Sequence, residues 1–204
     1  MGRYIEPTTD FGFKKLFGEE KSKNVLKKFL FHILKLESPI IEITFLKQEQ
    51  IPEKPEERVG IYDIYCVNEK GERFIVEMQR GSQLYFKDRI VYYSTFPIFQ
   101  QAQKGDWDYR LNLRLTEDER YLRQIQLSDI ETHEIFYDKL TFVFIELSKF
   151  DKKLDELKEA DDKWIYFLKH LSELNEIPPE LSDEEEMTEA FRMAEIYALS
   201  EKER

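Results

Sequence analysis

The stretch VGIYDIYCVNEKGERFIVEMQ, residues 59–79, contains two apolar runs separated by the polar segment Asn68-Glu69-Lys70-Gly71. β-Branched and aromatic residues fill both runs, and the segment between them has the composition of a turn, so the stretch predicts a β-hairpin. A three-residue loop that ends at Gly71 requires the left-handed backbone conformation that glycine adopts readily. Asn68 then pairs with Glu72, and this pair sets the register of the whole hairpin.

The two faces of this hairpin differ in chemistry. The apolar face is expected to lie against the core, and it carries Tyr62, Ile64, Cys66, Phe74, Val76 and Met78. On the other face Asp63 lies directly opposite Glu77, and Gln79 follows two residues later on the same side. Two carboxylates in directly opposed positions have Cβ atoms roughly 4.5–5.5 Å apart and repel each other.

Three arrangements would relieve the repulsion between Asp63 and Glu77: a shared proton, a basic neighbour or a divalent metal ion. Mg²⁺ prefers hard oxygen ligands and keeps several waters, so two carboxylates and the amide oxygen of Gln79 suit it. A water bound to such an ion can attack a phosphodiester. The alternative is a solvated face on which the acids pair with Arg73 or Arg80, and spacing alone does not choose between these interpretations.

Periodicity predicts the other elements of the chain. Helices are expected at 11–17, 23–36, 84–103, 161–174 and from 182 onward, and strands at 40–45, 121–127 and 140–147. Asp10 is expected to cap the first helix. His32 lies at the edge of the apolar stripe of the second helix and is interpreted as a boundary residue, and Pro97 should kink the third.

Composition limits the class of protein. The chain has 204 residues, of which 41% are apolar and 29 are aromatic, so it is expected to fold around a core. A single cysteine, Cys66, excludes an internal disulfide and indicates a reducing, cytoplasmic compartment. No apolar run approaches the roughly 18 residues of a membrane span, so no membrane partner is expected.

Charge divides the chain unevenly. The net charge is −11, but residues 1–150 carry 23 basic and 25 acidic side chains, whereas residues 151–204 carry 8 and 17. Residues 1–35 carry 8 basic and 4 acidic side chains. The sequence therefore predicts a nearly neutral domain at 1–150 and an acidic helical region at 151–204, and charge does not exclude DNA as a partner.

Several motifs resemble a known family. Asp63, thirteen intervening residues and Glu77-Met78-Gln79 resemble the half-motif of the PD-(D/E)XK nucleases. The opening Thr8-Thr9-Asp10-Phe11-Gly12-Phe13 resembles that of one branch, the Rpn group or PD-(D/E)XK nuclease family transposases. Further blocks match in order along nearly the whole chain: 61–65, 74–79, 86–89, 92–94, 104–107, 138–141 and 162–164.

The resemblance implies a fold and an activity. The implied fold is α/β with a restriction-endonuclease-like core of helix, three-strand meander, helix and strand, followed by a C-terminal helical extension. The implied activity is that of a Mg²⁺-dependent or Mn²⁺-dependent endonuclease that cuts double-stranded DNA and is linked to recombination and mobile elements.

The resemblance also implies roles for individual residues. Asp63 and Glu77 match the metal-binding acids, and Gln79 occupies the position of the motif's lysine, where it can form hydrogen bonds but carries no charge. Lys14 and Arg89 are candidate contacts to DNA phosphates. For Arg89, an ion pair with an exposed acid is an equal alternative.

One departure from the family pattern concerns the core. After Asp108 the family pattern leads us to expect an apolar strand, but the polar residues that follow Asn112 do not supply one. We therefore expect one core strand to be missing, the strand at 140–147 to take its place beside the hairpin, and little regular structure between 112 and 139. Two further hypotheses follow: an inactive relic that binds DNA, and a homodimer formed through the C-terminal helices.

Overall fold

The computed structural model describes residues 3–50, 60–79, 91–95, 109–111 and 118–195, with the backbone alone at 49, 50, 60 and 109–111. These residues form a mixed α/β fold with two compact units. The first unit draws on 1–41, 78–80 and 147–204, and the second on 42–77 and 81–146. The sequence predicts a nuclease-like domain at 1–150 and an acidic region at 151–204. That division stays a prediction.

Helices make up most of the first unit. They are α1 (Asp10–Phe17), α2 (Lys23–Ile33), α3 (Ala160–His170) and α4 (Glu185–Ala194), with 3₁₀ turns at Glu20–Ser22, Leu147–Lys149, Leu154–Glu156, Leu171–Glu173 and Pro179–Leu181. α2 ends three residues earlier than periodicity predicts, and Lys35, just beyond it, has a φ of 50°. Within the described residues no helix is long and apolar enough to cross a membrane.

Aromatic rings join the two ends of the chain inside the first unit. Neighbouring ring centroids lie 4.8–6.0 Å apart along the series Phe17, Phe29, Trp164, Phe167 and Phe191. All five side chains are almost completely buried. Since each favourable ring pair adds about 0.5–1.5 kcal/mol beyond its buried area, this series ties α1 and α2 to α3 and α4.

Two helices, α3 and α4, lie in the described part of the acidic C-terminal region, where periodicity predicts them. Its largest apolar side chains, Trp164 on α3 and Phe191 on α4, are buried within the first unit. A homodimer through these helices is not supported, since the large apolar side chains of their described residues are covered by the same chain.

The N-terminus of α1 corrects one prediction. Thr9, not Asp10, is the N-cap, and its hydroxyl oxygen accepts the backbone N–H of Gly12 at 3.0 Å. Asp10 is the first helical residue, where the helix dipole favours an acid, and its carboxylate lies 2.8 Å from Lys14 Nζ. Thr9 is the cap because its extended backbone precedes the helix, which is the conformation that an N-cap requires.

His32 lies at the edge of α2, as its sequence position predicts, in a largely buried setting. Its Nε2 is 3.5 Å from a carboxylate oxygen of Glu184, the residue before α4. Burial lowers the pKa of His32 below its ordinary value of 6.5, with Lys28 adding to the effect and Glu184 and Asp161 opposing it. Burial prevails, so the folded state favours the neutral ring.

We expect His32 to make the protein less stable in mild acid. The unfolded chain binds a proton at His32 more readily than the folded chain does. The stability contributed by neutral His32 is therefore complete above pH 6.5, and it is lost as the pH falls through 6.5 toward the lowered pKa. Urea unfolding between pH 7 and 5 should show a shallower decline for His32→Gln than for the unsubstituted protein. Parallel declines would show that His32 does not contribute.

The second unit is built on β-structure. Its strands are β1 (Ile43–Phe45), β2 (Glu49–Gln50), β3 (Gly60–Ile61), β4 (Ile64–Asn68), β5 (Arg73–Val76), β6 (Tyr109–Leu111), β7 (Leu122–Ser128) and β8 (Ile135–Ile145). Among the described residues, six of them form one sheet in the order β1-β4-β5-β6-β8-β7, and β2 pairs with β3. β6 runs parallel to both β5 and β8, whereas the other pairs are antiparallel.

The predicted hairpin register is confirmed. Cys66 pairs with Phe74 and Ile64 with Val76, as the pairing of Asn68 with Glu72 requires. Gly71 has a φ of 79°, the left-handed conformation expected of it. The expected core face is buried except at Met78, which is partly exposed. Tyr65 and Ile75 on the opposite face are buried as well, so both sides of the hairpin are covered.

The strand at 109–111 corrects a second prediction. β6 lies between β5 and β8, so the segment 140–147 does not take the place beside the hairpin. β6 is only three residues long, which is too short to show an apolar pattern in the sequence, and its ladders to two parallel neighbours define it instead. A short strand is therefore present where we expected none; residues 112–117 lie outside the described residues, so the expected absence of a full-length strand stays a prediction.

The segment before residue 140 corrects a third prediction. β8 begins at Ile135, and it forms a long antiparallel hairpin with β7 that is interrupted by irregular pairing after Gln126. The strand at 121–127 is confirmed, but the expectation of little regular structure up to residue 139 is wrong. The exposed first half of β8 includes Asp138 and Lys139, and such a strand lacks the apolar run that marks a buried one.

Candidate active site

A β-bulge shapes the strand that carries Asp63. Phe45 pairs with Cys66 and Glu49 pairs with Ile61, so four steps along one strand face five steps along the other. The extra residue falls between β3 and β4, where Asp63 interrupts the strand. A bulge bends its strand and redirects a side chain, and such irregularities are enriched next to active sites.

The structure brings Asp63 and Glu77 together. The backbone N–H of Asp63 donates to a carboxylate oxygen of Glu77 at 3.1 Å. β4 begins at Ile64 and β5 ends at Val76, so the two acids stand just beyond the last paired residues of the hairpin. Both side chains are half-buried. The geometry thus places the Glu77 carboxylate against the Asp63 backbone at one end of the ladder.

Buried aromatic residues lie next to the two acids. Tyr62, Tyr65, Ile75 and Phe144 form a buried cluster, and the Tyr62 hydroxyl donates to the backbone oxygen of Tyr93 at 3.0 Å. Burial raises the pKa of the Tyr62 phenol far above its ordinary value of 10, and the charges of Tyr65 and Glu77 raise it further. Tyr62 therefore stays protonated, and its apolar surroundings strengthen electrostatic interactions at Glu77.

The structure locates two of the other three predicted site residues, Gln79 and Lys14. Gln79 follows Glu77 by two positions and is half-buried, and the boundary between the two units falls after Glu77. Lys14 lies on α1 in the first unit, where it pairs with Asp10. Arg89 lies outside the described residues, so its predicted role stays a prediction.

Of the two basic residues proposed as partners of the acids, Arg73 lies within the described residues. Arg73 donates to the hydroxyl of Tyr65 at 2.7 Å. Arg73 is four positions from Glu77 on the same strand, which corresponds to about 13 Å in extended backbone. Arg80 lies outside the described residues. Arg73 is therefore too far along the strand to neutralise Glu77 directly.

Sequence reasoning missed Gln48. Its side-chain amide donates to the backbone oxygen of Asp63 at 2.8 Å, and its own backbone oxygen accepts the N–H of Tyr62 at 3.1 Å. Gln48 thus holds the backbone on both sides of the peptide bond that joins Tyr62 to Asp63. No short motif marks such a residue, because the bulge that brings it to Asp63 is a property of the pairing.

We expect Gln48→Leu to impair the site without unfolding the protein. Loss of the amide donor frees the Asp63 backbone to shift, and a lost supporting interaction of this kind costs roughly 10–100-fold in activity or metal affinity. DNA cleavage and Mn²⁺ affinity should therefore both fall. Asn24→Leu, at an exposed amide on α2, is the control and should behave like the unsubstituted protein. Equal activity of the two variants would contradict a positioning role.

The donor atoms at this position suit a hard cation. Within the described part of the chain, no group of three or more His, Cys, Asp or Glu side chains could hold a metal ion. Asp63 and Glu77 supply two carboxylates, and Mg²⁺ commonly binds through one or two carboxylates and fills its other positions with water and phosphate oxygens. The two carboxylates therefore fit Mg²⁺ or Mn²⁺.

Comparison with known protein families identifies a match over nearly the whole chain. A family model described as PD-(D/E)XK nuclease family transposase matches residues 7–204. No curated protein and no solved structure matches the chain. The matched range includes Asp63, Glu77 and Gln79, and it spans both compact units.

Proposed function

Because the chain belongs to the PD-(D/E)XK nuclease family transposases, we propose that it is a metal-dependent endonuclease that hydrolyses phosphodiester bonds in double-stranded DNA. The observation that carries this proposal is the juxtaposition of Asp63 and Glu77, joined by a 3.1 Å hydrogen bond at the end of the hairpin. That hydrogen bond fixes Glu77 beside Asp63, and we infer that the two carboxylates share a divalent cation, which would offset their like charges.

Each residue of the proposed site has a distinct task. Asp63 and Glu77 would hold Mg²⁺ or Mn²⁺, which when bound lowers the pKa of water and neutralises charge on a phosphate. Gln79 would hydrogen-bond the attacking water and fix its direction. Unlike a lysine, it adds no positive charge where charge develops in the transition state, so we expect slow cleavage.

DNA binding is proposed to rest on the basic start of the chain. Residues 1–35 carry a net charge of +4, and Lys14 and Arg89 are the proposed phosphate contacts. A role in recombination or mobile-element movement and a cytoplasmic location complete the proposal. The family resemblance supports the role in recombination, and the single cysteine supports the cytoplasmic location.

A second candidate function is DNA binding without cleavage. The uncharged side chain of Gln79 is the observation that favours it, since the family's lysine normally supplies positive charge at that position. An active enzyme and a binding module share the fold and the basic start, so only an assay of cleavage separates them.

The test is nicking of supercoiled plasmid by purified full-length protein. We expect nicked and linear DNA in Mg²⁺ or Mn²⁺ and intact plasmid in EDTA. Retarded but intact plasmid in Mg²⁺ would support the binding module and contradict the endonuclease. Cleavage that persists in EDTA would contradict metal dependence.

A further inference from the structure

The phenol of Tyr62 joins a helical segment to the strand that leads to Asp63. Residues 91–95 are helical, and the hydroxyl of Tyr62 donates to the backbone oxygen of Tyr93 at 3.0 Å. The two rings meet edge to face, with their centroids 5.7 Å apart. Tyr62 is completely buried, so its hydroxyl depends on an acceptor within the protein, and the Tyr93 carbonyl supplies one.

The β-bulge turns Tyr62 toward this segment. Strict alternation along a strand would put Tyr62 and Tyr65, three positions apart, on opposite faces of the sheet. Their ring centroids nevertheless lie 5.3 Å apart, and both side chains belong to the cluster that contains Ile75 and Phe144. The extra residue at Asp63 therefore moves Tyr62 to the face of Tyr65, and it interrupts the strand at the acid itself.

Tyr62 is held at its backbone and at its hydroxyl, and Asp63 follows it directly in the chain. The backbone N–H of Tyr62 donates to the oxygen of Gln48 at 3.1 Å, while the phenol donates to Tyr93. The next N–H, that of Asp63, donates to a carboxylate oxygen of Glu77. The helical segment is thus connected through Tyr62 and one peptide unit to the Glu77 carboxylate.

We propose that Tyr62 is a positioning residue, which holds Asp63 and Glu77 in the arrangement that Mg²⁺ requires and thereby discriminates against larger cations. The inference rests on the proposed function, since it concerns the same metal site. Mg²⁺ demands a near-ideal octahedron of close ligands, whereas Ca²⁺ accepts irregular coordination at longer distances. A site whose backbone is firmly held can enforce the first geometry, and a site that has lost its support tolerates only the second.

The variant that tests this role is Tyr62→Phe, which removes the hydroxyl and keeps the buried ring. Tyr65→Phe is the matched control. Tyr65 belongs to the same cluster and is also buried, but its hydroxyl accepts a hydrogen bond from Arg73 at 2.7 Å. Both substitutions delete one buried oxygen, so a difference between the two variants reports the contact with Tyr93. Circular dichroism should show that both proteins are folded.

Amide hydrogen exchange of the metal-free proteins, followed by NMR, tests whether Tyr62 holds Asp63. We expect the N–H of Asp63 to exchange at least about tenfold faster in Tyr62→Phe than in the unsubstituted protein, because the lost contact permits local opening. Its rate in Tyr65→Phe should be normal, and amides of β4 should keep their usual rates in all three proteins. An unchanged Asp63 rate in Tyr62→Phe would overturn the positioning role.

Calorimetric titration with Mg²⁺ and with Ca²⁺ tests the consequence for the site. In Tyr62→Phe the Mg²⁺ affinity should fall at least about tenfold and the Ca²⁺ affinity by less than about threefold. Both affinities should stay normal in Tyr65→Phe. Equal losses for the two cations would contradict the discrimination. No binding of either cation to the unsubstituted protein would contradict the proposed nuclease site, whereas the exchange rates would still decide whether Tyr62 positions Asp63.

Discussion

Replacing Asp63 by Asn or Glu77 by Gln is expected to reduce DNA cleavage by at least about 100-fold, the cost of losing one group that stabilises charge in a transition state. Each substitution keeps the shape of the side chain and removes its charge. Gln at position 77 retains an oxygen that can accept the Asp63 N–H, so the 3.1 Å hydrogen bond can survive. The measurement is the rate of plasmid nicking in Mg²⁺ under conditions in which the unsubstituted protein cuts.

Stability provides the control for these two variants. Removing one of two adjacent like charges relieves repulsion, so the melting temperature without metal should hold or rise. Loss of fold in either variant would indicate a structural role for the acids and would contradict the proposed site. Asp10→Asn removes an acid from the N-terminal motif and should cut DNA normally.

The second large effect is expected at Gly12, where we predict that alanine destabilises the protein by at least about 2 kcal/mol. A Cβ atom at Gly12 would lie 2.1 Å from the backbone oxygen of Glu6 and 3.0 Å from the hydroxyl of Thr9. Glu6 cannot easily move away, because its carboxylate accepts hydrogen bonds from Thr8 and Ser172. The gain in helix propensity, about 1 kcal/mol, is too small to offset this clash.

Thermal and urea unfolding of Gly12→Ala measure this effect. The predicted loss corresponds to a fall of roughly 4–8 °C in melting temperature. Asp10→Ala, on the exposed side of the same helix, should lose no more than about 1 kcal/mol, from its pair with Lys14 and its position at the helix N-terminus. Equal stability of Gly12→Ala and the unsubstituted protein would show that the chain near Glu6 yields freely.

The contacts of the N-terminal motif, residues 8–13, indicate a structural role. Thr9 caps α1, Asp10 pairs with Lys14, and Gly12 permits close approach of the backbone. The sequence resemblance includes these residues together with Asp63 and Glu77, but it does not separate residues that build the fold from those that act on a substrate. The contacts of each side chain make that separation.

The hairpin was predictable because its signals are local. The turn that ends at Gly71 sets the register, and the register places Asp63 opposite Glu77. One short stretch therefore determines both the hairpin and the positions of the two acids. The helices of the first unit were predictable for a similar reason, since their apolar residues recur with the helical period.

The remaining features depend on contacts that are distant in sequence. β6 is defined by its parallel neighbours, and Gln48 reaches Asp63 only because a bulge shifts the pairing of two strands. The N-terminal half of β8 carries exposed and charged residues, so its sequence lacks the apolar run that predicts a buried strand. Such features follow from long-range pairing and lie beyond a window of neighbouring residues.

Binding of Mn²⁺, measured by titration calorimetry with and without EDTA, tests most directly whether Asp63 and Glu77 form a metal site. We expect saturable, EDTA-reversible binding to the unsubstituted protein and to Asp10→Asn. The affinity should be at least about tenfold weaker for Asp63→Asn and for Glu77→Gln. Equal Mn²⁺ affinity in all four proteins, or no binding to the unsubstituted protein, would contradict a metal site at Asp63 and Glu77.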